Sequence, residues 1–440
     1  MKAPEKLTDA SLSVWESKPL KAVSNYYVSN VDKIPIADEI PIRLCNYTDV
    51  YNNEFIRLDL NFMAATATKD EIRKFGLLVN DVIITKDSES WDDIGIPALV
   101  QETESDLVCG YHLAVLRPIS DRIRGRYLFR CLQAKPIRVQ LELSATGVTR
   151  FGLPKDAIGK LLLPIPPPER QDAIADFLDR ETTKIDALIA AKERLLRLLA
   201  EKRKALITHS VTLGLNPDTP FRDSGFSWLG QIPAHWKVIK LKHIAAISYG
   251  FGDELDKSLT SGVPLISLPS VSIDGSLDLT ELGWADLAES EKSALLLKRG
   301  DLLFNWRNGS SRHLAKTAYF DAEGDFTHVG FLLRIRFNLS QFESRFYQAF
   351  LNALRVTGFF LYSRAMVNNT FNQTELANLP VVVPPIAEQR TIVAHIKRET
   401  AKLDALREAT ERTIGLSKER RAALIAAAVT GNIDVSREVA

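Results

Sequence analysis

"RETTKIDAL" (Arg180–Leu188) and "RETAKLDAL" (Arg398–Leu406) are one phrase written twice, identical at seven of nine positions and 218 residues apart. The match extends both ways. Upstream, "LLLPIPPPERQDAIADFLD" (161–179) parallels "LPVVVPPIAEQRTIVAHIK" (379–397). Downstream, "KRKALITHSVT" (202–212) parallels "RRAALIAAAVT" (420–430). Each block reads as one long helix. A proline pair, Pro167–Pro168 or Pro384–Pro385, stands at its start, where a missing N–H costs nothing, and no proline follows inside it. Gly214 and Gly431 stand where C-terminal caps belong.

The apolar spacing supports paired helices. Steps of four and three from Ile174 meet Leu178, Ile185, Leu188, Leu195, Leu199 and Leu206, interrupted by Glu181, Lys192 and Lys202. This is a coiled-coil-like stripe. In the second copy the stripe holds from Ile392 to Leu406 and then drifts. Each helix is expected to run roughly 38 residues, about 57 Å at 1.5 Å per residue. Neither buries its stripe alone, and the simplest partner for each is the other.

The segments ahead of the helices also correspond, in the same order. "WESKPLKAVSNYY" from Trp15 parallels "WKVIKLKHIAAIS" from Trp236, and "IPIRLCNYTDV" from Ile40 parallels "VPLISLPSVSI" from Val263. "VNDVIITKDSESW" from Val79 parallels "KRGDLLFNWRNGS" from Lys298, matching Asp81 to Asp301. "CGYHLAVLRP" from Cys109 parallels "VGFLLRIRFN" from Val329. Short apolar runs such as "DVIIT" and "DLLFN", each followed by a polar loop, read as strands. The expected fold class is α+β: two mixed α/β globular domains separated by two long antiparallel helices, with an internal pseudo-twofold repeat. The boundaries read as domain 1–165, helix 166–213, linker 214–236, domain 237–380 and helix 381–434. The linker assignment rests on the Gly-, Pro- and Ser-rich "LGLNPDTPFRDSGFSWLGQIPAHW" (213–236).

Composition bounds the function. At 440 residues, 45% hydrophobic and 25% charged, the chain has the make-up of a soluble multidomain protein. It holds no apolar run of the roughly 18–20 residues that span a bilayer, and no apolar stretch follows the N-terminal charges as in a secretory signal. Cys45, Cys109 and Cys131 lack close spacing, which points to a reducing cytoplasm and away from disulfides or cysteine-based zinc. The net charge is +1, but the signs separate locally. Residues 117–160 hold ten bases against three acids, and 298–316 hold Lys298, Arg299, Arg307, Arg312 and Lys316 against Asp301. Such stretches suit a polyanion partner, with solvated helix faces as the plain alternative.

The helix-opening motifs "PIPPPERQ" and "VPPIAEQR", the passage "DSGFSWLGQIPAHWKVIKLK" (223–242) and the order domain–helix–domain–helix together resemble the specificity subunits of type I restriction–modification systems. The resemblance spans essentially the whole chain, save the start before Trp15. It implies that each globular unit is a target recognition domain reading one half of a bipartite, asymmetric double-stranded DNA site. It implies that the helices set the distance between the halves. It also implies two modification methyltransferase subunits as partners, carrying adenine-N6 methylation with S-adenosylmethionine. Restriction subunits that use ATP and Mg to translocate and cut DNA belong to the same complexes. The specificity subunit itself would be non-catalytic, with no cofactor of its own and a cytoplasmic location.

The chain's own motifs agree with a non-catalytic role. Its Pro-Pro pairs lack the Asn or Asp before and the aromatic after that an adenine methyltransferase loop needs. "GFSWLGQ" (225–231) imitates the glycine spacing of a phosphate loop without its Lys-Ser/Thr, and "YGFGDELD" (249–256) reads as a turn. The seven histidines show no ligand spacing.

Base edges are read by side chains that pair donors with acceptors, and phosphates by bases, hydroxyls and backbone N–H groups. In the second domain "NWRNGSSRHLAK" (305–316) offers Asn305, Arg307, Asn308, Ser310, Ser311 and Arg312 as readers and Lys316 for phosphate. "SRAMVNNTFNQTE" (363–375) offers Arg364, Asn368, Asn369, Thr370, Asn372 and Gln373. The equivalent stretches of the first domain, "TKDSESWDD" (85–93) and "SATGVTRFGLPK" (144–155), offer Lys86, Ser88, Ser90, Thr146, Thr149, Arg150 and Lys155. The acids of 85–93 imply a different half-site there. For docking of the modification subunits the doubled phrase offers Arg180, Glu181, Lys184 and Asp186 with Arg398, Glu399, Lys402 and Asp404; salt bridges within the chain are the plain alternative. Two rival readings stand beside this one: a specificity subunit of a fused nuclease–methyltransferase, and a two-headed coiled-coil scaffold that binds protein.

Overall fold

A computed structural model describes residues 14–252, 259–308, 310, 313–362 and 370–435. The chain divides into two compact units, residues 1–193 with 411–440, and residues 194–410. Both divisions fall inside the long helices, Pro168–Thr212 and Ile386–Thr430, each 45 residues. Each is longer than the roughly 38 residues that the apolar stripe suggested.

In the first unit a five-stranded sheet runs in the order 24–28, 113–118, 82–85, 97–100, 55–56. Its central strand, Val82–Thr85, is buried throughout. Successive side chains on a strand point to opposite faces, so the apolar run serves two cores. Val82 and Ile84, with Ala114 and Leu116, face the cluster that takes in Tyr127, Ile174, Leu178 and Val429. Ile83, with Ala98, Leu113 and Val115, faces a second cluster built on the three-stranded sheet 63–67, 40–45, 107–109. One end of each long helix thus belongs to the first unit's core.

The second unit repeats the plan. Strands 245–249, 332–337, 302–305 and 317–319 form an antiparallel sheet in that order. Strands 283–285, 263–266 and 327–328 form the companion sheet, antiparallel then parallel, as in the first unit. Leu302, Phe304, Leu333 and Ile335 face the cluster containing Val211 and Ile392, the helix residues that stand at the repeat positions of Val429 and Ile174. All four sequence correspondences fall on matching elements. Among the described residues the strand Phe55–Ile56 has no counterpart.

The helix ends explain the motifs that announce them. Gln171 is fully buried. Its oxygen accepts from Arg124 N at 2.8 Å, and its nitrogen donates to Pro166 O at 2.9 Å and Arg122 O at 3.1 Å. Gln389, equally buried, accepts from Glu343 N at 2.9 Å and donates to Pro384 O at 2.8 Å. The glutamine of each motif therefore ties the first helical turn to the chain before it and to the domain beside it. At the other end Gly214 and Gly431 adopt φ of +76° and +77°, the left-handed caps expected. A Cβ on Gly431 would meet Trp15 Nε1 at 2.7 Å, and one on Gly214 would meet Trp236 Cζ2 at 3.3 Å. Each repeat's opening tryptophan packs on the end of a long helix.

The Gly-, Pro- and Ser-rich segment 213–236 is folded into the second unit. It carries the hairpin Phe221–Asp223 with Gln231–Pro233, and Ile232 and Trp236 lie in the core. Among the described residues no helix is long and apolar enough to cross a membrane.

Candidate nucleic-acid interface

In each domain the two stretches expected to read DNA come together by backbone pairing. In the first, Asp87–Ser88 pairs antiparallel with Phe151–Gly152, which pairs in turn with Thr146–Gly147. In the second, Arg307 bridges Thr370 antiparallel, and Phe371 N donates to Trp306 O at 2.7 Å. The registers are equivalent: Asp87 opposite Gly152 is the repeat image of Arg307 opposite Thr370. Like frames carry unlike side chains.

The first domain's ladder borders a cleft of about 870 Å³. Tyr47 and Tyr51 stack with centroids 5.5 Å apart on one side, and Tyr111 and His112 stand 3.9 Å apart on another. His112 Nδ1 lies 2.5 Å from Asp87, which also takes Lys86 Nζ at 2.9 Å. Burial disfavours ionisation of Asp87, but the Lys86 and His112 hydrogen bonds outweigh it and hold its pKa below the usual carboxylate range. Arg150 Nη2 reaches His112 Nε2 at 3.4 Å, and Tyr51 Oη donates to Asp93 at 2.6 Å. Gly147, at φ +142°, makes the hairpin turn 148–150 possible, since a Cβ there would collide with Arg150 O. At the tip Val148 is 90% exposed, an apolar group where a thymine methyl contact is feasible. The tyrosines, His112 and Val148 escape sequence reasoning, which weighed polar side chains on predicted loops. Only the aromatic Phe331 at this place in the repeat signals them.

The candidate readers divide sharply. Thr146, Thr149, Arg150 and Lys155 are exposed, with Lys155 Nζ over the Tyr26 ring at 5.9 Å. Ser90 is half-buried and donates to Asp92. Lys86 is spent on Asp87, and Ser88 is buried while accepting from Ser90 N at 3.2 Å. In the second domain Arg307 is exposed, its guanidinium 5.6 Å from the Phe331 ring centroid. Asn308 turns its oxygen on Ser310 N at 3.0 Å, and Thr370 is half-buried in the bridge.

Four expectations need correction. Asn305 is fully buried and donates to His313 O at 3.0 Å, so its amide supports the strand end. Lys316 is buried, donates to Val271 O, and has its pKa pushed down by burial, so it is poorly placed for phosphate. Asn372 caps the short helix Gln373–Ala377, accepting from Glu375 N at 3.0 Å. Gln373 donates to Ile247 O at 2.6 Å. Ser311, Arg312, Arg364, Asn368 and Asn369 lie outside the described residues, as does the end of "YGFGDELD".

The basic stretch 117–160 is largely neutralised by carboxylates. Arg117 pairs with buried Asp81 at 2.7 Å, and its repeat image Arg336 pairs with buried Asp301 at 2.5 Å. Arg126 and Arg130 meet Asp179 at 2.5 and 2.6 Å, Arg124 meets Asp172 at 3.2 Å, and Lys135 and Arg138 share Glu142. Arg130 is only 2% exposed. These arginines hold the domain to its helix, so the local charge excess is not a free basic surface.

The doubled phrase builds one surface motif twice. Arg180 and Lys184 meet Glu181 at 3.1 and 2.9 Å; Arg398 and Lys402 meet Glu399 at 2.9 and 3.0 Å. Hydrogen bonds from Lys184 then Arg180, and from Arg398 then Lys402, hold both glutamates below the usual carboxylate range. Leu188 and Leu406 beside them are 44% and 46% exposed. The aspartates do something else: Asp186 meets Arg421 at 2.9 Å, and Asp404 meets Arg203 at 3.6 Å, each bridging one long helix to the other. Among the described residues no group of three or more His, Cys, Asp or Glu could hold a metal ion.

Residues 15–197 match the family model for the type I restriction modification DNA specificity domain. The chain is 21% identical over 409 residues to the type I restriction enzyme EcoKI specificity subunit of Escherichia coli K12, covering 90% of this chain and 83% of that one. It is 23% identical over 228 residues to the putative type I restriction enzyme MjaX specificity subunit of Methanocaldococcus jannaschii, an alignment spanning about half of each protein, 52% and 52%. A chain from a structural study of complex assembly and conformational transition of the type I restriction–modification system superposes with a TM-score of 0.69. That superposition is at 18% identity and covers 95% of this chain and 98% of that one, a likeness of fold.

Proposed function

We propose that this chain, a type I restriction–modification specificity subunit, reads a bipartite, asymmetric DNA site with one recognition domain per half. The carrying observation is the repeated ladder: equivalent backbone registers bring unlike loops together in the two domains. A repeated frame presents loops to the same kind of partner. Different side chains on that frame give two different half-sites.

Within this reading, Arg150, Thr146, Thr149, Lys155 and Ser90 serve the first half-site, and Arg307, Asn308, Ser310 and Thr370 serve the second. The domains run 1–165 and 237–380, with helices 166–213 and 381–434 setting the spacing and the segment 214–236 leading into the second. The Arg–Glu–Lys motifs at 180–184 and 398–402 dock two modification subunits, because two equivalent partners need two equivalent surfaces. Those subunits supply S-adenosylmethionine and the methyl transfer to adenine N6; restriction subunits with ATP and Mg join where DNA is cut. The complex works in the cytoplasm, and this chain contributes recognition and geometry.

The test is genome-wide mapping of methylated adenines in cells with and without this chain. A bipartite motif that disappears with the chain supports the reading. Unchanged methylation, together with binding to duplex DNA that does not respond to salt, supports a protein-binding scaffold instead.

A further inference from the structure

We infer that His112 is a positioning residue for Arg150, holding that guanidinium as the group with which the first domain reads a guanine in its half-site. The inference rests on the DNA-reading role proposed above.

An arginine only donates hydrogen bonds. Its 3.4 Å contact with His112 Nε2 therefore requires that nitrogen to be bare. The ring proton then sits on Nδ1, where it is donated to Asp87 at 2.5 Å. A carboxylate on one ring nitrogen fixing the state of the other is how histidine tautomers are set. The rest of the loop fixes the ring. His112 adopts φ +70°, and its carbonyl accepts from Lys86 N at 2.8 Å, tying the turn to the ladder strand. Gly152 leaves room for the carboxylate, since a Cβ there would lie 3.0 Å from Asp87 Oδ1. The result is a chain of three side chains, Asp87 to His112 to Arg150, ending at the exposed hairpin turn.

The bond to His112 engages one of five guanidinium N–H donors. The remaining fork can meet O6 and N7 of a guanine, the commonest specific major-groove contact. The second domain reaches a similar end differently. Arg307 comes from the opposite strand of the ladder and rests over Phe331, which stands by strand register at the repeat position of His112. A phenylalanine ring has no acceptor nitrogen to offer. Each domain thus steadies one exposed arginine beside the same turn, by a histidine acceptor in one and by an aromatic face in the other.

The test compares Arg150→Ala, His112→Met and His112→Gln in the complex with the modification subunits. Met and Gln are near-isosteric and share any strain at the positive φ, but only Gln can accept a hydrogen bond. Each variant is assayed by methylated-adenine mapping and by binding to duplexes substituted one base pair at a time. The expected result is that Arg150→Ala and His112→Met relax the same guanine position of the first half-site, roughly tenfold or more. His112→Gln should retain most of the preference, and the second half-site, an internal control for folding, should be unchanged in all three. If Arg150→Ala relaxes the position but His112→Met does not, the positioning role is wrong while DNA reading stands. If Arg150→Ala weakens all sequences evenly, Arg150 holds phosphate and the inference also fails. If the wild-type complex shows no bipartite preference at all, the failure belongs to the proposed function.

Discussion

Asp186 accepts from Arg421 Nε at 2.9 Å, and this pairing joins the two long helices within the first unit. The same guanidinium meets Glu54 of the first globular domain at 2.7 Å, so three segments share one cation. In the second unit Arg203 stands at the repeat place of Arg421, 3.6 Å from Asp404, and Asp274 lies within its electrostatic reach. The arrangement is a strap between helix, helix and domain, built twice.

Arg421→Ala should therefore destabilise the first unit by about 1–2 kcal/mol, the range for hydrogen bonds to charged groups discounted for partly exposed partners. Arg203→Ala should cost less, because its bridge is longer. Urea unfolding of both variants checks the order; equal costs would mean the strap contributes no specific geometry.

Gln171→Leu and Gln389→Leu should each lose about 1–3 kcal/mol, the cost of leaving buried backbone groups unpaired. Arg124 N and Pro166 O are stranded in one case, Glu343 N and Pro384 O in the other. Thermal melts without a shift would show that solvent replaces the glutamine at no cost.

Asn305→Ala and Arg307→Ala should separate support from reading. Asn305 is buried and Arg307 exposed on the same loop. The first substitution should lower stability and leave sequence preference intact. The second should leave stability intact and relax one position of the second half-site by about 1–3 kcal/mol. The opposite pattern in binding and melting experiments would overturn the assignment.

His328 is fully buried, and neither ring nitrogen has a hydrogen-bond partner among the described residues. Burial, reinforced by Arg334 and Arg336, pushes its pKa down from 6.5 to about 3. Between those values the unfolded chain binds the extra proton, so stability falls as pH falls, by up to about 1.4 kcal/mol per pH unit. Above pH 6.5 the group should have no effect. Urea midpoints from pH 7 to pH 4 should decline less steeply in His328→Leu than in the parent, and parallel declines would remove His328 as the cause.

The sequence made the repeat, the long helices, their glycine caps and strands such as 82–85 and 302–305 legible, because periodicity and punctuation are local signals. The burial of Ile425, Ala428 and Val429 was not legible, because the domain that covers them lies elsewhere in the chain. The basic stretch 117–160 misled for the same reason: Asp81, Asp172 and Asp179 that neutralise it come from other segments. The pairing of the candidate loops was not read from the sequence. Which side chains it exposes was not legible, since Asn305, Arg307 and Asn308 look alike in sequence and differ in burial. The helix-opening glutamines lay inside a motif that sequence reading singled out, but their role required seeing the backbone groups they satisfy.

The most direct measurement is methylated-adenine mapping in cells carrying the wild-type chain, Arg150→Ala or Arg307→Ala with the same modification subunits. The predicted result is one bipartite motif for the wild type, relaxed in one half only by Arg150→Ala and in the other half only by Arg307→Ala. A motif that both substitutions alter in the same half, or methylation indifferent to the chain, would contradict the claim that two like frames read two unlike half-sites.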